Sequence, residues 1–238
     1  PNIKIIKVQT AKEMNKAVKN NLKSDIAIFT AAVSDISLKK SINIKIKKEN
    51  LNKIILKKNP DIIKTASSNK NNKPNFIVGF AAETNNYVIN AKKKLIEKGC
   101  DLIVLNKINK KDSIFGSEFN KVTIISHNQI DKLKKMTKID VAKILVNKII
   151  NNINKLNNNN FCYMGISEQE LEIFSRHLIL KEFNEKSFNN LQQQKVTIVG
   201  IGGIGCPAAQ YLVSAGIKKL KLIDADFIQK NNLNRQIL

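Results

Sequence analysis

The stretch FIVGFAAETNNYVINAKKKLIEKGCDLIVLN, residues 76–106, decides the fold class. FIVGFAAET (76–84) reads as a buried strand running into a loop. Tyr87 to Lys98 has helical periodicity, Gly99 is placed as its stop, and DLIVLN (101–106) is the next apolar strand. Two buried strands joined through a helix imply a parallel sheet with helices on its faces, and such sheets take ligands beyond the carboxyl ends of their strands.

The flanking sequence repeats the pattern. Thr10 and Glu13 form a capping box, Ala11, Met14 and Val18 recur at helical spacing, and Asp25 opens the apolar run IAIFTAAV. Ile54 to Leu56 is strand-like, and Asn59-Pro60 supplies an N-cap and first-turn proline for a short helix. Lys121 to Ser126 adds a strand, and Thr137 with Asp140 caps a helix reaching about Asn151. NNINKLNNNN (151–160) is polar and low in complexity, with too little apolar surface to offset ordering, and reads as a linker. Beyond Met164, Ser167 and Glu170 cap a helix over about 168–180. KVTIVGIGGIG (195–205) then opens a strand, a glycine-rich turn and a helix to about 215, and KKLKLIDAD (218–226) is a second strand. The expected organisation is α/β: residues 1–150, a linker over 151–163, and a Rossmann-like segment over 164–238.

Composition narrows the function. With 238 residues and 42% hydrophobic content the chain can bury an ordinary core. No run approaches the roughly 20 apolar residues of a membrane span, and PNIKIIKVQTAKEMNK lacks a secretory core, so a cytoplasmic protein is the expectation. Cys100, Cys162 and Cys206 form no CxxC pair and encode neither disulfide framework nor zinc site. The formal charge of +22 would suit a nucleic-acid binder, but its distribution argues otherwise. Residues 1–163 carry 32 lysines, no arginine and 12 acids, whereas 164–238 carry 9 bases against 7 acids. The imbalance marks a boundary, and the lysines lie among Asn and Ile without the arginines and aromatics that read or stack on bases. Neither nucleic acid nor membrane is expected as a partner.

In the second segment, Gly200 to Gly205 lies between strand and helix, where glycines allow close approach of phosphate to backbone. Asp224, at the end of the next strand, is placed to accept from ribose hydroxyls, with NAD and ATP both open. SRHLIL (175–180), the GxGGxG turn and IDADFIQKNNLNRQIL (223–238) together resemble the adenylation domain of the ThiF/MoeB/ubiquitin-activating superfamily. The resemblance implies ATP with magnesium, and adenylation of the C-terminal carboxylate of a ubiquitin-like sulfur carrier protein. It places Gly203 and Asp224 at the nucleotide and Asn231, Asn232, Leu233, Asn234 and Arg235 along the phosphates. Arg235 is the implied phosphate clamp, since a guanidinium grips phosphate as a fork. Arg176 matches the family's N-terminal arginine, and a helix-surface salt bridge is its alternative role.

In the first segment, TAKEM (10–14), AAVSD (31–35), KIKK (45–48), NPDI (59–62), VGFAAET (78–84), the helix 92–98 and DLIVLN are individually ordinary. Ile42, Ile44 and Ile46 alternate with polar residues, which suggests an extended flap with lysines on one side. In order and spacing these blocks resemble the phosphopantothenate-cysteine ligase half of the bifunctional coenzyme A biosynthesis flavoprotein. The resemblance implies CTP with a divalent metal, magnesium or manganese. The 4'-phosphopantothenate carboxylate attacks the α-phosphate to give an acyl-cytidylate, and the amine of L-cysteine displaces CMP. Lys45 matches the first lysine of the family's KxKK and is the implied catalytic cation at the departing pyrophosphate. Phe29, Thr30, Ala31, Asp35, Asn59, Pro60, Asp61, Ile62 and Phe80 map to the nucleotide pocket, as do Lys94 and Lys98, one turn apart on a helix. A solvated lysine stripe is the alternative reading of that pair.

Both resemblances imply homodimers. Starting at Pro1 and ending at Leu238, the chain also reads as cut at both ends, short of the ligase's glycine-rich start and of the adenylation domain's later lysine, aspartate and cysteines. FMN is not expected, since the flavin-dependent half would lie further upstream. Met164 falls where the second family would start, so a join of two reading frames stands beside a natural fusion, and an inert fragment beside an active enzyme.

Overall fold

The first helix begins as the sequence pattern predicts. The Thr10 hydroxyl accepts the Glu13 N–H at 3.1 Å, and Glu13 reaches back to the Gln9 N–H at 2.8 Å. This helix, α1 (Ala11–Asn21), joins strand β1 (Asn2–Lys7) to β2 (Ile26–Phe29) in a computed structural model that describes residues 1–39, 55–108, 117–156 and 185–225. β2 stops at Phe29, so TAAVSD is loop at the strand's carboxyl end.

A short antiparallel ribbon follows, β3 (Ile36–Leu38) on β4 (Leu56–Lys58). The expected strand at Ile54 to Leu56 thus sits two residues later. The expected cap is also corrected. The N-cap of α2 (Ile62–Ser67) is Asp61, whose Oδ1 accepts the Lys64 N–H at 3.1 Å. Asn59 is unavailable for capping because its amide ties the ribbon to the loop, donating to the Ser34 carbonyl and accepting from Ser37 Oγ. β5 (Phe76–Glu83), α3 (Tyr87–Glu97) and β6 (Leu102–Lys107) form the expected unit, and Gly99 takes the left-handed conformation (φ 62°) just past the helix.

β7 (Phe119–Asn120) pairs with β10 (Met136–Thr137), while β8 (Val122–Ser126) and β9 (Ile130–Lys132) extend the main sheet. The Thr137 hydroxyl caps α4 (Lys138–Leu156) by accepting the Asp140 N–H at 3.1 Å. The helix runs past the expected end near Asn151, because Ile149, Ile150 and Ile153 continue its buried stripe into the Asn-rich stretch. Beyond lie α5 (Glu185–Gln193), β11 (Lys195–Val199), α6 (Gly205–Ser214) and β12 (Lys219–Asp224).

All the long strands share one eight-stranded sheet in the order β1-β12-β11-β2-β5-β6-β8-β9. The first six are parallel, and β8 pairs antiparallel with both β6 and β9. Strands from the C-terminal segment lie between β1 and β2, and the two-stranded piece does not stand as a separate layer. Read from β11 through β12 and then from β1 onward, the six parallel strands have the 3-2-1-4-5-6 order of a doubly wound nucleotide fold, with its switch point between β11 and β2.

Alternation along the strands builds a core on each face. Ile26, Ile28, Val78, Val104, Val196 and Ile198 meet α4 and α6, while Ala27, Phe29, Ile77 and Ile103 meet α1, α2 and α3. α4 packs on both α5 and α6, so one helix from the first segment covers the second. Leu145, fully buried in α4, is the sensitive point. Leu145→Ala should lower stability by about 2–5 kcal/mol, read as a shifted midpoint in urea unfolding.

Candidate functional site

The joint between the segments is made at the carboxyl ends of β2 and β11. The Val199 carbonyl accepts both the Thr30 N–H (2.8 Å) and the Ala31 N–H (2.9 Å), and Thr30 Oγ1 donates to the Gly200 carbonyl at 2.5 Å. At the other end of the same pair, Asp25 Oδ2 accepts the Lys195 N–H and the Lys195 carbonyl accepts the Asp25 N–H, both at 2.8 Å. Gly200 has φ 98°, and a Cβ there would lie 2.4 Å from the Ala31 nitrogen. The chain therefore turns at this position only because it lacks a side chain.

Beyond these strand ends lies a cavity of about 610 Å³. Of the residues singled out in the sequence, Phe29, Thr30, Ala31, Asp35, Pro60, Asp61, Ile62, Phe80, Lys94, Lys98 and Gly203 lie on its wall. Asn59 stands behind the wall in the hydrogen bonds described above. Asp224 is not on the wall either; its carboxylate accepts the Ile201 N–H and thereby holds the glycine-rich turn. Lys45, Arg176, the flap over 42–47 and Asn231 to Arg235 lie outside the described residues, as does Cys162.

Two lysines at the cavity are paired with carboxylates. Lys94 Nζ lies 2.7 Å from Glu83 Oε1, at the end of β5, and Lys98 Nζ lies 3.2 Å from Asp61 Oδ2. The Asp61 carboxylate thus caps α2 with one oxygen and meets α3 with the other. The pair is not a solvated stripe, because both lysines reach inward to carboxylates on neighbouring elements. Exposure of these groups screens the pairs, so they orient the cations more than they stabilise the fold.

Sequence reasoning missed Asn106, Asn120 and Lys138, all on the wall. Asn120 is buried and its Oδ1 accepts the Lys121 N–H at 2.9 Å. Lys138 opens α4, and a Cβ on Gly203 would come within 2.9 Å of its Cδ and 3.4 Å of its Nζ. The available signal was position: Lys138 directly follows a capping threonine, and Asn106 ends a buried strand. Among the described residues no group of three or more His, Cys, Asp or Glu side chains could hold a metal ion, and no helix is long and apolar enough to cross a membrane.

A family model described as the DNA/pantothenate metabolism flavoprotein C-terminal domain matches residues 1–153. The chain belongs to that family. A ThiF-family match over residues 174–238 follows it, so this member carries a ThiF segment behind the flavoprotein C-terminal domain. The chain is 43% identical over 145 residues to the coenzyme A biosynthesis bifunctional protein CoaBC of Borreliella burgdorferi, a stretch covering 59% of this chain and 36% of that protein. It is 46% identical over 81 residues to the adenylyltransferase and sulfurtransferase MOCS3 of Drosophila ananassae, covering 34% of this chain and 18% of that one. The chain therefore spans about a third of the first relative and less than a fifth of the second. The structure of the DNA/pantothenate metabolism flavoprotein from Streptococcus pneumoniae has the same fold, with a TM-score of 0.50 at 22% identity over 63% of this chain and 73% of that one.

One thiol beside the site is inert. Cys100 is buried under Gly79, and burial pushes its pKa up to about 12, against a smaller lowering by Lys98. With so little thiolate at pH 8, iodoacetamide should leave Cys100 unmodified in the folded protein and alkylate it only in denaturant, as peptide mass mapping would record.

Proposed function

We propose that the chain acts as a CTP-dependent phosphopantothenate-cysteine ligase, with residues 1–150 as the ligase portion joined through 151–163 to the ThiF-like segment. The reading is supported by the family match over residues 1–153 together with a cavity whose wall carries most of the residues expected at the nucleotide, Asn59 and Lys45 apart. Phe29 to Ala31 and Pro60 to Ile62 offer backbone and apolar surface to the cytidine, Asp35 faces the same space, and Lys94 and Lys98 bring oriented cations from α3. Lys45 neutralises charge at the departing pyrophosphate. The divalent ion would be carried by the nucleotide phosphates. When bound, it offsets phosphate charge. The product follows from attack of the phosphopantothenate carboxylate on the α-phosphate and aminolysis by L-cysteine. A cytoplasmic homodimer accords with this reading.

The ThiF-family match supports a second reading: ATP-dependent adenylation of the C-terminal carboxylate of a ubiquitin-like carrier, with Arg235 clamping phosphate and Gly203, Asp224 and Asn231 to Asn234 at the nucleotide. Pyrophosphate release separates the two. With 4'-phosphopantothenate and L-cysteine present, CTP should support release, and Lys45→Ala should lower the rate about 100-fold to 1000-fold. Release that requires ATP and a sulfur carrier, with none from CTP, would replace the first reading by the second.

A further inference from the structure

We infer that the two segments share one nucleotide site, so that a single nucleotide, CTP or ATP, occupies each chain, with its phosphates against the glycine-rich turn of the second segment and its nucleoside against the first. The inference rests on the proposed function only for the choice of these two nucleotides as probes. Its basis is topological. A doubly wound sheet binds its ligand in the crevice where strand order reverses, and here that crevice opens between β11 and β2, one strand from each segment.

The cavity at that position is built from both sides. Gly202, Gly203 and Gly205 form one wall, and Ala31, Asp35 and Asp61 form another. At about 610 Å³ it lies within the range of roughly 300–1,000 Å³ typical of single-ligand sites. The turn opens a ten-residue helix, α6, whose dipole favours negative charge at its start, where the Cys206 N–H is held by the Gly202 carbonyl and Pro207 has none. Two further groups, both from the first segment, mark the same space for a ligand. Lys138 stretches over Gly203, bringing a cation to the turn. Asn120 is 6% exposed and lines the cavity; its oxygen is taken by the Lys121 N–H, and among the described residues nothing accepts from its NH2 group.

Gly202 provides the probe. A Cβ at this position meets no atom within 4 Å, so a side chain would project into open space without disturbing the joint, unlike one at Gly200 or Gly205. Equilibrium dialysis of the full chain with labelled CTP and labelled ATP, separately and together, should give one nucleotide bound per chain, with each displacing the other. Gly202→Val should weaken binding of both nucleotides at least tenfold while the circular dichroism spectrum and melting temperature stay at wild-type values. Gly202→Ala serves in its place if the valine variant fails to fold. Lys138→Gln, in the first segment, should weaken ATP as well as CTP. Two nucleotides bound together, no binding of either, or a Gly202 variant that loses ATP but retains CTP would overturn the shared site. Wild-type binding without CTP-dependent pyrophosphate release would instead count against the ligase reading and leave the shared site standing.

Discussion

The structure depends on the pairing of β2 with β11. Four residues of each strand lie in register, from Val196 opposite Ile26 to Val199 opposite Phe29. At one end the Val199 carbonyl holds two N–H groups of the Thr30 turn, and at the other Asp25 and Lys195 exchange backbone and carboxylate bonds. Near the second end the buried Ser24 and Thr197 hydroxyls share one hydrogen bond at 2.5 Å. If this pair is lost, β2 becomes an edge, α4 loses part of the surface it covers, and the cavity loses a wall.

Much of this was legible in sequence because it is local. Period-2 and period-3.6 patterns, the Thr10 and Thr137 caps and the Gly99 stop each depend on residues a few positions apart, and each appears where expected. The Asn59 cap failed because tertiary hydrogen bonds to Ser34 and Ser37 compete for that amide and leave the task to Asp61. The helix end was placed too early because asparagine-rich composition concealed Ile149, Ile150 and Ile153, whose burial against strands and helices holds the stretch together. What no pattern revealed is the insertion of β11 and β12 between β1 and β2. Register between strands so distant in sequence is set by packing, and each segment alone carries only half of that information.

The same contrast applies to electrostatics. A formal charge of +22 suggests a surface made to attract polyanions, yet at the cavity Lys94 and Lys98 sit beside carboxylates. Lys94 and Lys98 project from one face of α3 onto Glu83 and Asp61, acids supplied by two different elements. Charge count alone could not locate these pairs, because the relevant distances are set across the fold. Lysine abundance is thus a poor guide to where a phosphate would be held, whereas the glycine turn, the α6 terminus and Lys138 define a specific place.

The β2–β11 joint has a consequence for how the chain is made. Its partners are 170 residues apart, and β1 meets β12 at a still greater separation. Ribosomes extend chains at roughly 5–20 residues per second, so the first strands would wait on the order of 10–30 s for their neighbours to emerge. Over that interval β1 lacks its one neighbour in the sheet, β12, and β2 lacks one of its two, leaving backbone edges of the kind that recruit foreign strands. Biosynthesis, more than the finished molecule, is where this architecture is exposed to aggregation, and holdase chaperones are the natural protection for its nascent form.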